Sequence, residues 1–376
     1  MMKNTLDSHK KILIVCRSFY PSISPRAFRA TELSKELARK GYDVKVCFPT
    51  GGNDYSTFEF ENNLKISNLG QLKWKDIRIK GGRIESLIRR AIRRGLQLLL
   101  DWPDIEIMFK VASKVKLEKG YDLLITIAVP HPIHWGVAFV RKNNRKIADS
   151  WIADCGDPYM GDKTDSFRKF FYFKYLEKWF CRKADFITIP IEGARNAYYP
   201  EFKDKIRIIP QGLKLDNLRI PVYVKTSDYP VFAYAGGFIP GKRDPGELLN
   251  FLSQSTLRFK FVIYTSQPSI ILPFKKKLGE KLIISEYIPR EKLLMVLAGM
   301  DFLINLDNNT GTQLPSKLID YAITGRPVLN ITSDDDFSGL AEFMDSNFCR
   351  KMDLEPPANY DIRVIAEKFI QLQINC

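Results

Sequence analysis

"KILIVCRSFYPSISPRAFRATELSKELARKGYDVKVCFP", residues 11–49, decides how the rest of the chain is read. Its first six residues are a short apolar run after a polar leader, the pattern of a buried strand. "SFYPSISPRAFRA" follows as a loop. "AFRATELSKELARKG" reads as a helix that stops at Gly41, a residue suited to the position just past a helix end. "YDVKVCFP" is the next strand. Strand, helix and strand in this order imply parallel pairing through a crossover.

The same grammar extends in both halves of the chain. Strand-like runs lie at 121–129, 146–154, 184–190 and 206–212, with helical patterns between several of them, notably over 165–184. Residues 213–230 are irregular and carry two prolines. The pattern then restarts, with strands at 231–237, 259–266, 281–288, 301–307 and 326–332 and helices near 244–255, 290–299 and 315–324. The expected fold class is therefore α/β, with two Rossmann-like doubly wound domains facing an interdomain cleft. The first spans 1–212, the linker 213–230, and the second 231–360. A terminal helix within 361–376 can cross back to the first domain. Ligands of such sheets bind at the carboxyl ends of the strands, beside helix N-termini.

Composition agrees with this plan. A chain of 376 residues, 45% hydrophobic and 27% charged, is long enough for two cores. The six cysteines form no CxxC pair and there are only three histidines, so reduced thiols are expected and structural zinc is not. The N-terminus lacks an apolar segment, and no apolar run reaches the roughly 18 residues of a membrane span. The expected location is cytoplasmic. The net charge of +15 favours anionic partners.

Two stretches carry the chemistry. In "NTGTQLPSKLIDYAITGRPVL" (309–329), Pro315 suits a first helical turn, and Lys317 and Asp320 share a face at i,i+3 spacing. A phosphate at the helix N-terminus beside Lys317, with Asp320 on a ribose diol, is one reading; an exposed ion pair is the other. In "YAGGFIPGKRDPGELL" (234–249), a strand runs into Gly236 and Gly237, then Lys242, Arg243 and a helix. Glycines allow close backbone approach, and paired cations suit a diphosphate.

"YAGGFIPGK" followed by "PSKLIDYAITGRPVL" resembles the donor-binding half of glycosyltransferases of the B-type fold, in the family 4-like superfamily. The 11–49 stretch, "YDLLITIAVPHPIHWGVAF", "WIADCGDPY" and "KIRIIPQG" are similar, in order, to motifs of their acceptor half. The resemblance implies that Lys242 grips the donor diphosphate and that Asp320 is the second acid of an E-x7-E motif, binding ribose. It also implies that Lys317 adds a phosphate or sugar contact, and that His134, with His131 second, lies near the transferred sugar. The first acid of the motif falls at Thr312, with Gln313 beside it as a substitute donor contact. Gly237 replaces the usual arginine, whose charge Arg243 can supply. Where the family has a glycine-rich loop, this chain offers Arg26 and Arg29.

"SWIADCGDPYMGD" (150–162) adds Asp154 and Asp157, which can orient acceptor hydroxyls or act as a base; an ordinary turn is the alternative. "SDDDF" (333–337) contains a DxD but reads better as a helix cap, and no metal or other cofactor is expected. Arg89, Arg90, Arg93 and Arg94 interleave with apolar residues over 87–100, the pattern of a basic amphipathic helix suited to an anionic membrane surface. No nucleic-acid motif accompanies it.

The expected function is transfer of a sugar from a nucleotide-sugar, UDP before GDP, to a glycan or lipid-linked acceptor, with retention, in surface polysaccharide or glycoconjugate synthesis. A nucleotide-sugar epimerase or hydrolase is the enzymatic alternative, and a sugar-nucleotide-binding partner subunit the non-enzymatic one.

Overall fold

The computed structural model describes residues 10–141, 146–162, 167–216, 218–239, 241, 243–286, 288–307, 316–332 and 335–374. The chain divides into two compact units, Met1–Lys214 with Asp361–Cys376, and Leu215–Tyr360.

The first unit contains β1 (Lys11–Cys16), α1 (Pro25–Arg39), β2 (Asp43–Phe48), α2 (Ser56–Asn62), β3 (Lys65–Asn68), α3 (Arg83–Leu100), α4 (Glu106–Val115), β4 (Tyr121–Ile127), α5 (Pro132–Val140), β5 (Ala148–Asp154), α6 (Phe173–Lys183), β6 (Phe186–Ile189) and β7 (Ile206–Ile208). The second contains β8 (Val231–Ala235), α7 (Gly246–Gln254), β9 (Lys260–Tyr264), α8 (Leu272–Leu278), β10 (Leu282–Ser285), α9 (Arg290–Ala298), β11 (Phe302–Leu306), α10 (Ser316–Thr324), β12 (Val328–Ile331) and α11 (Ser338–Met344). The last helix, α12 (Ile362–Ile374), packs against α1 and belongs to the first unit.

The first unit's strands pair in parallel in the order β3-β2-β1-β4-β5-β6-β7. β1 lies inside the sheet, with Ile12 opposite both Val44 and Leu123. That placement explains its continuous apolar run, because both faces of the sheet are covered. Trp135, Trp151, Phe173 and Phe180 fill one side. Ile12, Ile14, Leu33, Leu37 and Phe369 fill the other.

Helix α1 starts earlier than the loop reading implied. Ser24 Oγ accepts the Ala27 N–H at 3.2 Å and Pro25 takes the first helical position, so local capping wins over the proline-rich look of the segment. Gly41 follows the helix with φ +92°, as its left-handed position requires. The helix expected over 165–184 begins only at Phe173; the Phe170 N–H turns instead toward the Leu98 carbonyl. Helix α5 is apolar on nearly every side and gives no amphipathic signal. It closes on α4 at Gly136, where a Cβ would lie 2.6 Å from the Met108 carbonyl oxygen.

The second sheet runs β10-β9-β8-β11-β12, again parallel. Its strand order reverses between β8 and β11, the place where open α/β sheets admit ligands. Pairing of these two strands covers only Phe232 opposite Phe302 and Ala233 opposite Leu303. Beyond it, the Tyr321 hydroxyl accepts the Ala235 N–H at 2.9 Å and donates to the Ile304 carbonyl at 3.1 Å. Helix α10 is thereby fixed across the two strand ends.

Candidate functional site

Helix α10 presents Lys317 and Asp320 beside the carboxyl ends of β8 and β9. Leu318, Ile319 and Tyr321 are buried against the sheet. A cavity of about 300 Å³ opens there, bounded by Gly236, Gly237, Thr265, Lys317 and Asp320 on one side and by Ile288, Leu293 and Leu297 on another. Gly236 has φ +147°, and a Cβ at that residue would sit 3.2 Å from the Tyr234 hydroxyl and 3.7 Å from Lys317 Cδ. Glycine here lets the backbone bend past the lysine stem.

Lys317 is 8% exposed, and its ammonium has no hydrogen-bond partner among the described residues. Its Nζ lies 4.2 Å from the centre of the Tyr234 ring. Burial, and then the neighbouring Arg243 guanidinium, push its pKa well below the ordinary lysine value; Asp307 pulls weakly the other way. Arg243 itself hydrogen-bonds the Tyr234 hydroxyl, which donates to the Gly237 carbonyl at 2.8 Å.

Asp320 does not pair with Lys317. Its Oδ1 accepts from Arg290 Nε at 2.7 Å, across from α9. Burial raises the Asp320 pKa, and Arg290 partly offsets it. The exposed i,i+3 ion pair is thus not what the structure contains. Gly236, Gly237, Lys317 and Asp320 line one cavity, and Arg243 adjoins it through Tyr234 and Lys317. Lys242, Thr312 and Gln313 lie outside the described residues. Asp335 and Asp336 precede α11 and accept the Phe337 and Ser338 N–H groups at 2.7 and 3.0 Å, but the N-cap position itself is held by Phe337, whose side chain gives no cap.

In the first unit, two of the acceptor residues expected from sequence need correction. Arg29 and Asp154 form a buried bidentate pair, with Nε–Oδ2 at 2.8 Å and Nη2–Oδ1 at 2.7 Å. Arg29 also donates to the Ile209 and Pro210 carbonyls, and Asp154 accepts from Thr188 Oγ1 at 2.7 Å. Arg29, Asp154 and Thr188 are all buried, and the network joins α1, β5, β6 and the segment after β7. Arg26 and Asp157 stay half-buried at the end of β5. The Arg26 guanidinium lies on Gly156, where any Cβ would overlap it, in the field of both Asp154 and Asp157.

His134 also needs correction. It is 0% exposed, with Nδ1 2.7 Å from Thr126 Oγ1 and Nε2 3.4 Å from Cys155 Sγ. Burial holds its pKa well below the usual histidine range. A sugar cannot reach this ring in the structure described. His131 is 3% exposed; its Nε2 donates to the Asp157 carbonyl at 3.0 Å, and burial lowers its pKa to about 3.

No protein-family model and no curated protein sequence matches the chain. Solved structures do. The apo form of the lipopolysaccharide outer core galactosyltransferase WaaB is similar over 97% of both chains, at 13% identity and TM-score 0.60. TarM is similar over 98% of this chain and 93% of its own, at 13% identity and TM-score 0.57. This chain has the GT-B fold. UDP-GlcNAc 2-epimerase from Neisseria meningitidis is similar too, over 97% of this chain and 100% of that one, at 12% identity and TM-score 0.56. The fold alone therefore does not separate transfer from epimerisation.

Helix α3 of this GT-B chain has no buried residue. Ile84, Leu87, Ile88 and Ile92 form an exposed apolar stripe, Ile84 being 75% exposed. Arg83, Arg90 and Arg94, spaced seven and four residues apart, fall along one flank of it. Of the four expected arginines, Arg89 pairs with Glu85, Arg93 with Asp76, and Arg94 stacks on Phe167; Arg90 is exposed. Among the described residues no helix is long and apolar enough to cross a membrane.

Proposed function

We propose that the chain is a glycosyltransferase that moves a sugar from a nucleoside diphosphate sugar, UDP before GDP, to a glycan or lipid-linked acceptor, with retention at the anomeric carbon. The observation that carries this reading is the buried Lys317 ammonium, without a hydrogen-bond partner among the described residues, beside a cavity bounded by glycine backbone and Asp320. A buried ammonium without a partner is costly, and a diphosphate supplies the missing acceptors. The apolar wall of Ile288, Leu293 and Leu297 suits a flat base, and Asp320 suits a ribose diol. As the bond to the anomeric carbon breaks, negative charge grows on the diphosphate, and in this reading Lys317, with Arg243 nearby, stabilises it. That supports a donor step in which these cations do the work of a metal. Arg26 and Asp157 are the groups offered to an acceptor hydroxyl.

Helix α3 supports docking of the chain on an anionic membrane surface from the cytoplasmic side, where it would meet a lipid-linked acceptor. The reading is tested with a panel of UDP- and GDP-sugars and acceptors. Transfer by wild type, lost with Lys317→Met and Asp320→Ala, is the expected result. Release of free sugar or an epimerised donor without any acceptor product would favour the epimerase or hydrolase, and binding without turnover a partner subunit.

A further inference from the structure

The core of the first unit holds an arrangement that the donor pocket does not use. One nitrogen of His131, one of His134 and Sγ of Cys155 lie within 4.8 Å of one another, all buried. The outward nitrogen of each imidazole is anchored. His131 Nε2 faces the Asp157 carbonyl, which can only accept, so Nε2 carries the proton and Nδ1 is left as a bare lone pair. That Nδ1 is buried without a hydrogen-bond partner among the described residues. His134 Nδ1 is held by Thr126 Oγ1, which also accepts from Trp151 Nε1 at 2.9 Å. His134 Nε2 is thereby turned toward Cys155 Sγ at 3.4 Å. Two nitrogen ligands of one tetrahedral zinc ion stand about 3.6 Å from its thiolate sulfur, so this spacing needs little adjustment.

We propose that His131, His134 and Cys155 bind a divalent transition metal ion, zinc by their chemistry. A metal-binding histidine usually donates its other ring N–H to a carboxylate, backbone carbonyl or water; the Asp157 carbonyl does this for His131, and the Thr126 hydroxyl is in reach to accept from His134 Nδ1. Binding displaces the Cys155 thiol proton to solvent and forms a zinc–thiolate bond. The remaining positive charge is faced by Glu177, which is fully buried, interacts electrostatically with Cys155 and has Oε1 without a hydrogen-bond partner among the described residues. The three ligands come from the β4–α5 corner and from the residue after β5, so the ion would clamp the loop that carries Asp157. Sequence spacing conceals the site, because Cys155 lies 21 residues beyond His134 and no second cysteine is near it in sequence.

The test uses the full-length, untagged protein, stripped with chelator under reducing conditions and titrated with cobalt(II). One equivalent bound, with a thiolate-to-cobalt charge-transfer band, is expected in wild type and in Cys349→Ser. The band is lost in the near-isosteric Cys155→Ser and weakened in His131→Asn. Zinc should compete with cobalt and raise the melting temperature of wild type. No band in folded wild type at cobalt excess would overturn the proposal, whatever the variants do. A band that persists in Cys155→Ser would also overturn it, since the metal would then sit elsewhere.

Discussion

Both contacts that Arg290 makes with Asp320 fall on one carboxylate oxygen, Oδ1. Among the described residues Oδ2 carries no hydrogen bond, so the carboxylate is held from one side and available from the other. Removing Asp320 should therefore weaken donor binding directly, by about 10- to 100-fold for a charged hydrogen bond to ribose. Arg290→Ala should cost less and act by loosening the carboxylate. Isothermal titration with UDP checks both; equal losses in the two variants would mean that Arg290 itself touches the ligand.

Lys317→Met should separate stability from binding. Burial lowers the lysine pKa in the folded protein, whereas the unfolded chain keeps a value near 10.4. Between those values the unfolded state holds more protons, so the Lys317 contribution to stability rises with pH across that window. The apolar variant escapes this penalty. Its melting temperature at neutral pH is expected to rise by about 2–4 °C per kcal/mol gained, while UDP binding falls by about 100-fold or more.

The same residue predicts a pH dependence of binding. The ammonium is the form that holds a diphosphate, and in the free protein its pKa is depressed. Below that pKa affinity should be flat. Above it, binding must take up a proton, and affinity should fall by up to about tenfold per pH unit. A nucleotide sugar is the appropriate ligand, because its diphosphate does not titrate in this range. Titration calorimetry in buffers of different ionisation enthalpy should report proton uptake.

Arg29→Met should act on folding. Breaking a buried ion pair while leaving its partner charged costs about 3–5 kcal/mol, and Asp154 would be left with the Thr188 hydroxyl as its hydrogen-bond donor among the described side chains. A lower urea midpoint is expected. An unchanged midpoint with a raised acceptor KM would return Arg29 to the acceptor site.

Helix α3 should bind anionic vesicles by two additive means. Leu87→Glu with Ile88→Glu removes apolar surface and should abolish flotation. Arg90→Glu should weaken it only on anionic vesicles, by roughly 1 kcal/mol for each charge lost near the surface.

The alternation of strands and helices was legible because parallel strands buried on both faces read as unbroken apolar runs, as in "KILIVC" and "DFLINLD". The glycine–lysine–aspartate set was legible because turn residues and helix spacing bring it to the strand ends. What escaped depends on partners distant in sequence. Arg290 is 30 residues from Asp320, and Asp154 is 125 from Arg29. A charge at the end of a strand looks the same in sequence whether it meets solvent or a buried counter-ion. His134 escaped for a related reason: α5 is so uniformly apolar that no periodic pattern marks which of its residues face inward.

At Tyr321 the second sheet meets a conflict of purpose. Continuity asks β8 and β11 to stay paired to their ends; a ligand mouth asks them to part. The phenol resolves it by standing in for the missing rung, taking the N–H of Ala235 and serving the carbonyl of Ile304. Because Tyr321 adjoins Asp320 and lies one turn beyond Lys317, the contact that keeps the sheet whole is also the ruler that sets how far both cavity-lining side chains reach. Widening this cavity would thus fall more readily to α9, whose Leu293 and Leu297 line another wall, than to α10, which Tyr321 ties to both strands.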